Sequence, residues 1–297
     1  MTSLTRNAYA KINLTLDVGP RRADGYHDIS SVMQTIGLHD TLTVSQTADA
    51  PGVHLEVTGD EGEGVPSDES NLVHRAAVRL QKVAAAREVI PGGLSGLHIL
   101  LHKRIPSQAG LGGGSSDAAA TLLAVNDLLG LTLSLLRLSE IGVALGADVP
   151  FFLTGGTALV RGIGERVTPL PALHPPWFLV VVKPLVGVST AAAYTALDAL
   201  PGRVPGSATE AWWNNEQGLS NDFEAAVFPA YPEIVSSYAL LSQTDGTEES
   251  FRPLLCGSGA AIFRRVASAE EAHRLAKHIT GVGAGKVWIT TTLGAGE

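Results

Sequence analysis

Cysteine occurs once in these 297 residues, at Cys256, so no disulfide can form within the chain. Charge is sparse at 17% of residues, and lysine is confined to Lys11, Lys82, Lys103, Lys183, Lys277 and Lys286. The formal net charge is −8 and no basic cluster is interleaved with aromatics, so a nucleic-acid partner is not expected. No apolar run is long enough to span a bilayer. The residues from Met1 to Asn7 carry no signal-peptide pattern. These absences lead us to expect a cytoplasmic chain with no membrane partner. An anionic ligand would have to be held locally, by backbone N–H groups, a helix dipole and a few placed cations.

Apolar residues and glycine are plentiful. Hydrophobic residues reach 45%, which is globular rather than disordered, and the length allows two domains with sizeable cores. Glycine is concentrated in Pro106-Ser-Gln-Ala-Gly-Leu-Gly-Gly-Gly-Ser-Ser-Asp-Ala-Ala-Ala120, where Gly110, Gly112, Gly113 and Gly114 fall within five positions. Such a backbone can reach positive φ and approach a ligand closely. Ser115, Ser116 and Asp117 are N-cap residue types, and the alanine- and leucine-rich run after them predicts a helix from about Ser116 to Leu129. Free N–H groups at such a helix start suit a phosphate. The P-loop pattern is excluded because no lysine enters the helix, and the dinucleotide fingerprint fits only loosely. A tight turn with a capped helix and no ligand also fits.

Around this segment, residues 7–18 alternate as a strand, and Gly19 to Gly25 read as a turn. Strands follow at Ile29 to Ile36, Thr41 to Val44, Val53 to Val57 and Leu97 to Lys103, with a helix at Asn71 to Ala86. Phe151-Phe152 and Thr157 to Val160 read as extended, and Pro201 to Thr209 as a loop. After a proline-rich break at 169–176 the pattern is β-α-α-β-α-β, a two-layer α+β arrangement, with a polar, mobile stretch at Ser242 to Ser250.

Four further groups carry possible chemistry. Lys11 and Asn13 share one strand face with Tyr9, either as a solvated face or as a cation set beside a reacting hydroxyl or phosphate. Asp148, in Gly-Ala-Asp-Val-Pro-Phe-Phe152, is a general-base candidate or a turn aspartate before Pro150. Tyr26 and His27 end a turn and could stack on a ring and hydrogen-bond it, or stand as an exposed pair. Cys256-Gly-Ser-Gly-Ala260 is a second glycine turn, plain or anion-binding. Ser220-Asn-Asp-Phe-Glu224 reads as a helix start with little functional weight.

Taken in order, the motifs Ala10 to Leu14, Arg22 to His27, Pro106 to Ala119 and Gly146 to Phe152 resemble the GHMP kinase superfamily. The narrower likeness is to its branch acting on a cytidine diphosphate-linked methylerythritol, on the route to isoprenoid precursors. The implied fold is α+β with two domains. Residues 1–160 would form an ATP-binding and catalytic domain with a left-handed-type β-α-β phosphate loop. Residues 161–297 would form a ferredoxin-like two-layer substrate domain, with the site in the cleft between.

The implied activity is transfer of the ATP γ-phosphoryl group to the 2-hydroxyl of that substrate. Asp148 matches the catalytic base and Lys11 its partner lysine. Asn13, Tyr26, His27 and Tyr194 match substrate-binding positions. Asn71, Lys103, Pro106, Ser107, Gln108, Ala109, Gly110, Leu111, Gly112, Gly113, Gly114, Ser115, Ser116, Gly257 and Ser258 match positions around ATP. Mg²⁺ is implied with ATP and has no assigned protein ligand, Ser115 and Ser116 being the candidates. A monomer or weak homodimer is expected.

Two departures stand out. Gln108 occupies a position where a small residue is usual, and Leu255-Cys256 replaces a methionine and a hydroxyl residue. The lone thiol is thereby placed beside the predicted site, where a reagent able to reach it should slow the reaction. Other superfamily kinases, acting on homoserine, mevalonate or a sugar, are the alternative. Against them stand Tyr26, His27 and Tyr194. Against a non-catalytic nucleotide-binding protein stand Lys11 and Asp148.

Overall fold

A computed structural model describes residues 3–47, 51–86, 96–213, 218–243 and 252–296. Its elements in chain order begin with two long strands, β1 (Ser3–Arg21) and β2 (His27–Thr47). β3 (Val53–Thr58), α1 (Leu72–Ala86), β4 (Gly96–His102), α2 (Gly113–Leu128), α3 (Leu135–Val143) and α4 (Val149–Thr154) follow. Next come β5 (Thr157–Gly162), β6 (Arg166–Pro169), β7 (Phe178–Lys183), α5 (Thr190–Asp198), α6 (Ala208–Trp213) and β8 (Ser220–Asn221). The last are α7 (Glu224–Ala230), α8 (Pro232–Ser242), β9 (Leu254–Leu255), β10 (Ile262–Val266), α9 (Ala269–Val282) and β11 (Lys286–Thr291).

The chain forms two compact units that interleave in sequence. The first comprises Met1–Ala10, Leu38–Pro106 and Gly112–Thr154; the second comprises Lys11–Gly37, Ser107–Leu111 and Gly155–Glu297. β1 and β2 contribute a segment to each.

In the first unit, β4 lies between β2, antiparallel with Thr41 opposite His102, and β3, parallel with Val53 opposite Leu97. A parallel pair needs a crossover, and α1 lies within the chain that connects β3 to β4. α1 and α2 pack together, and their Val73, Ala77, Leu80, Ala118, Leu122 and Val125 share one core with Leu97, Ile99 and Leu101 of β4. The alanine run of α2 is covered almost all round, with residues 116–122 all buried.

In the second unit, β7 is flanked by antiparallel β10 and β11, with β9 beyond β10. Leu179, Val180, Val181 and Val182 of β7 are fully buried, as expected of a central strand read as a continuous apolar run. α9 packs on β7 and β11 through Ala272, Ala276 and Ile279. Its N-cap, Ser268, accepts from the Glu271 amide, while Glu271 reaches back to the Ala267 amide. Gly283, at φ 73°, ends it. β5 pairs with β2 and β6, and β8 runs parallel to β1.

Several sequence expectations need correction. Phe151-Phe152 is helical, in α4. Pro150 is tolerated in a first helical turn, and the aromatic pair is set by that turn rather than by strand propensity. α2 begins at Gly113 after Gly112 in the left-handed region, so Ser115, Ser116 and Asp117 lie inside the helix rather than capping it. β2 is unbroken where two strands were expected, β1 extends through Gly19 to Arg21, and α6 begins inside the expected loop 201–209. Of the polar stretch Ser242 to Ser250, residues 244–250 lie outside the described residues.

Candidate functional site

In the first unit β4 delivers the chain to Lys103, and α2 starts ten residues later. Gly112 takes φ 74°, and its carbonyl accepts the Ser116 amide at 2.9 Å. No side chain caps this end, which leaves the amides of Gly113, Gly114 and Ser115 at the positive end of the helix dipole. Gly114 is exposed, and a Cβ there would meet nothing closer than Leu72 Cδ1 at 3.8 Å. At Gly113 a Cβ would stand 3.0 Å from Ile105 Cγ2 and 3.4 Å from Lys103 Nζ, so a side chain there would crowd both. Ser116 Oγ donates to the Tyr9 carbonyl at 2.6 Å, tying the helix to β1.

Lys103 is buried, and its ammonium donates to Asp40 and to Asp117 Oδ2, the latter at 2.7 Å. Asp40 Oδ1 also accepts the Arg104 and Ile105 amides. Burial pushes the Asp117 carboxyl from 3.8 up to about 8, with the Asp40 charge adding to the rise and Lys103 opposing it. Asp117 Oδ1 has no hydrogen-bond partner. Lys103 is itself desolvated, yet the two carboxylates raise its pKa above the ordinary lysine value.

Asn71 immediately precedes α1. Its Oδ1 accepts the Val73 amide at 2.9 Å and its Nδ2 donates to the Pro66 carbonyl at 2.6 Å. Asp148 is half-buried in the turn that enters α4. That turn abuts α2, because a Cβ on Gly146 would lie 3.4 Å from Ser115 Oγ. Ser115, Asp148 and the open N-terminal turn of α2 therefore belong to one neighbourhood.

In the second unit the Lys11–Asn13 face of β1 is buried rather than solvated, with Lys11 4% and Asn13 1% exposed. Lys11 Nζ donates to Asn13 Oδ1 at 2.7 Å, and Asn13 Nδ2 donates to Ser31 Oγ at 2.8 Å. The Lys11 amide donates to the Leu111 carbonyl at 3.0 Å. The second glycine turn comes against the same point: a Cβ on Gly257 would be 2.9 Å from Lys11 Nζ and 3.0 Å from the Gly110 carbonyl oxygen. A Cβ on Gly110 would be 1.7 Å from the Cys256 carbonyl oxygen, so the two turns pack backbone on backbone.

Gln108 adopts φ 52°, and its carbonyl accepts the Ala260 amide at 3.0 Å. The Ala109 carbonyl accepts the Ala261 amide at 3.1 Å. Ser258 Oγ pairs with Thr190 Oγ1 at 3.2 Å. Cys256 is fully buried and burial pushes its thiol up to about 12, so the accessibility on which inhibition by a thiol reagent depends is missing.

His27 and Tyr194 stack, with ring centroids 4.9 Å apart and planes 27° from parallel. Tyr194 meets the edge of Phe223 at 4.9 Å and 89°. A carbonyl can only accept, so His27 Nδ1 donates to Gly19 at 2.9 Å; Nε2 faces Asp198 Oδ1 at 3.3 Å. Tyr26 is 60% exposed.

The sequence points to no functional role for Asp40, Asp117, Asp198 or Asn221. Asp40 carries no local signal at all, being brought to Lys103 by strand register. Asn221 had one, since Asn-Asp-Phe-Glu packs three hydrogen-bonding side chains and an aromatic into four positions. Among the described residues there is no cluster of three or more His, Cys, Asp or Glu side chains that could hold a metal ion.

Residues 71–156 match the family model described as GHMP kinases N terminal domain. The chain is 44% identical over 290 residues to the 4-diphosphocytidyl-2-C-methyl-D-erythritol kinase of Moorella thermoacetica, covering 94% of this chain and 95% of that one. It is 38% identical to the enzyme of the same name from Exiguobacterium sibiricum, covering 97% of each. A crystal structure of 4-(cytidine 5'-diphospho)-2C-methyl-D-erythritol kinase superposes with TM-score 0.77 at 34% identity, covering 98% of this chain and 100% of the other. A homoserine kinase from Cytophaga hutchinsonii, 20% identical with TM-score 0.72, shares the fold.

Proposed function

The chain belongs to the 4-diphosphocytidyl-2-C-methyl-D-erythritol kinase family, has the GHMP kinase fold and is an ATP-dependent kinase; from that premise we propose how its own residues carry the reaction. The acceptor is the 2-hydroxyl of the cytidine diphosphate-linked methylerythritol. Its oxygen forms a bond to the γ-phosphorus as the bond from that phosphorus to the bridging β–γ oxygen breaks. The hydroxyl proton passes to Asp148, and ADP and the 2-phosphate leave. A tertiary alcohol is a crowded and poor acid, so a carboxylate within reach must take its proton as attack proceeds.

Lys11 offsets charge on the transferred group, and its fixed position on Asn13 means no reorganisation accompanies the step. Asn13 aligns the acceptor beside it. The amides of Gly113, Gly114 and Ser115 and the turns at 106–112 and 257–258 hold the ATP phosphates, with Asn71 and Lys103 towards the nucleoside side. The α2 N-terminus, open and backed by glycine, supports this role. Tyr26, His27 and Tyr194 hold the cytosine, and the exposed Tyr26 ring is the one free to close on it.

Mg²⁺ fits this donor set as an ion carried mainly by phosphate and water oxygens. Ser115, half-buried at the helix start, is the hydroxyl that would join it. It would neutralise charge on the β- and γ-phosphates. The functional division is residues 1–160 for ATP and catalysis and 161–297, ferredoxin-like, for substrate. The left-handed-type crossover at the phosphate loop, the cytoplasmic location and a monomer or weak homodimer belong to the same reading.

The observation that carries the substrate assignment is the 44% identity spanning 94% of the chain. An ATP-consumption assay offering the cytidylylated methylerythritol, homoserine and mevalonate tests it. Turnover with the first alone is expected. Turnover with another acceptor and none with the first would overturn it.

A further inference from the structure

The segment Ser220-Asn-Asp-Phe-Glu224 has no part in the mechanism above, yet its contacts converge on residues that do. β8 pairs in parallel with β1, Leu16 opposite Asn221, and the Asp222 amide donates to the Leu16 carbonyl at 3.0 Å. Asp222 Oδ2 accepts the Val18 amide at 2.9 Å and the Gly206 amide at 3.0 Å. The segment is thus anchored to the strand that carries Lys11.

From that anchor Asn221 reaches the second glycine turn. Its Nδ2 donates to the carbonyls of Leu255 at 2.8 Å and Gly257 at 2.7 Å, and its Oδ1 accepts the Phe223 amide at 3.0 Å. Glu224 Oε1 accepts the Leu255 amide at 3.1 Å. Asn221 is 3% exposed, and both ends of its amide are used. Gly257, its carbonyl held by Asn221, packs against the lysine: a Cβ on it would stand 2.9 Å from Lys11 Nζ. A carbonyl released from Asn221 would be an acceptor competing with Asn13 for the Lys11 ammonium.

We propose that Asn221 is a positioning residue for phosphoryl transfer: by holding the Gly257 carbonyl it fixes the turn that packs on Lys11 and so keeps the ammonium on Asn13 and aimed at the reacting phosphate. The inference rests on the role given to Lys11 above and adds a residue that touches neither substrate nor ATP. A displacement of about 1 Å in a catalytic group can cost about 10²-fold in rate. Asn221 acts on such a displacement, so its loss lowers kcat and leaves KM for both substrates near the wild-type values.

The test is a double-mutant cycle between Asn221→Asp and Lys11→Met under single-turnover conditions, with the cytidylylated methylerythritol and ATP. Asn221→Asp keeps the shape and the acceptor for the Phe223 amide but removes both donors to the turn. Expected is a loss of about 10²-fold with Lys11 present and almost none in the Lys11→Met background, since the residue acts through that ammonium. Equal losses in both backgrounds, an unchanged rate, or a rise in KM alone would overturn the proposal. If Asn221→Asp fails to fold, Asn221→Ser, which leaves the Gly257 carbonyl unheld without placing a charge beside it, is judged by the same cycle. A wild-type protein without turnover on this substrate would instead remove the functional reading beneath it.

Discussion

Lys103 Nζ donates to Asp117 Oδ2 at 2.7 Å and thereby joins the strand that enters the glycine loop to the helix that leaves it. The loop's two ends are clamped in the core of the first unit, with Asp40 as the third member of the clamp. The ionic group is almost wholly buried, so its geometry is what makes it tolerable.

Removing the cation from this clamp leaves Asp40 and Asp117 buried without their partner. Lys103→Met should cost about 3–5 kcal/mol of stability, the range for breaking a buried ion pair on one side. Denaturant unfolding measures it. A cost below about 1 kcal/mol, as for an exposed pair, would show that the clamp is solvated.

The raised Asp117 carboxyl gives stability a pH dependence of known sign. The folded chain holds this proton up to about pH 8, whereas the unfolded chain releases it near 3.8. The contribution is therefore complete below the unfolded value and is lost as pH rises from about 4 through about 8. Asp117→Asn mimics the protonated form and removes that loss. The melting temperature of the variant relative to wild type should rise between pH 5 and pH 9. A difference that stays constant across that range would mean Asp117 holds no such proton.

Asp148→Asn should retain ATP binding and lose about 10²–10⁴-fold in kcat, the usual cost of a missing general base. Nucleotide binding by calorimetry and steady-state turnover separate the two effects. A variant of near-normal rate would take Asp148 out of its role.

Cys256 should be inert in the native protein. It is fully buried and its thiol is pushed up to about 12. Iodoacetamide at pH 8 should leave the native chain unmodified and its activity intact, while the denatured chain takes up one equivalent. Rapid labelling of the native chain would show that the turn at 256–259 opens.

Local signals carried much of this molecule into view. The glycine run before an alanine-rich helix announced a phosphate-type loop, and the strand expected at Leu97 to Lys103 is β4, displaced by one residue. Where local preference misled, tertiary context had overridden it. Phe151 and Phe152 have strand propensity but sit in the short helix α4. Ser115 to Asp117 look like caps, but Gly112 can take the left-handed conformation and starts α2 earlier. Lys11 lies on an alternating strand, yet that face is covered.

The sequence by itself determined the chemistry available: which glycines can approach a phosphate, where a carboxylate and a lysine occur, and the absence of a second thiol. Those are properties of residue type and short spacing. Only the tertiary structure decided which groups are held and by what. Asp40 lies 63 positions from Lys103, and Asn221 lies 36 positions from Gly257. No periodicity links residues so far apart; strand register and the β8–β1 pairing bring them together. Burial then turns those meetings into consequences, since a charge or a carbonyl removed from water must take whatever partner the fold supplies.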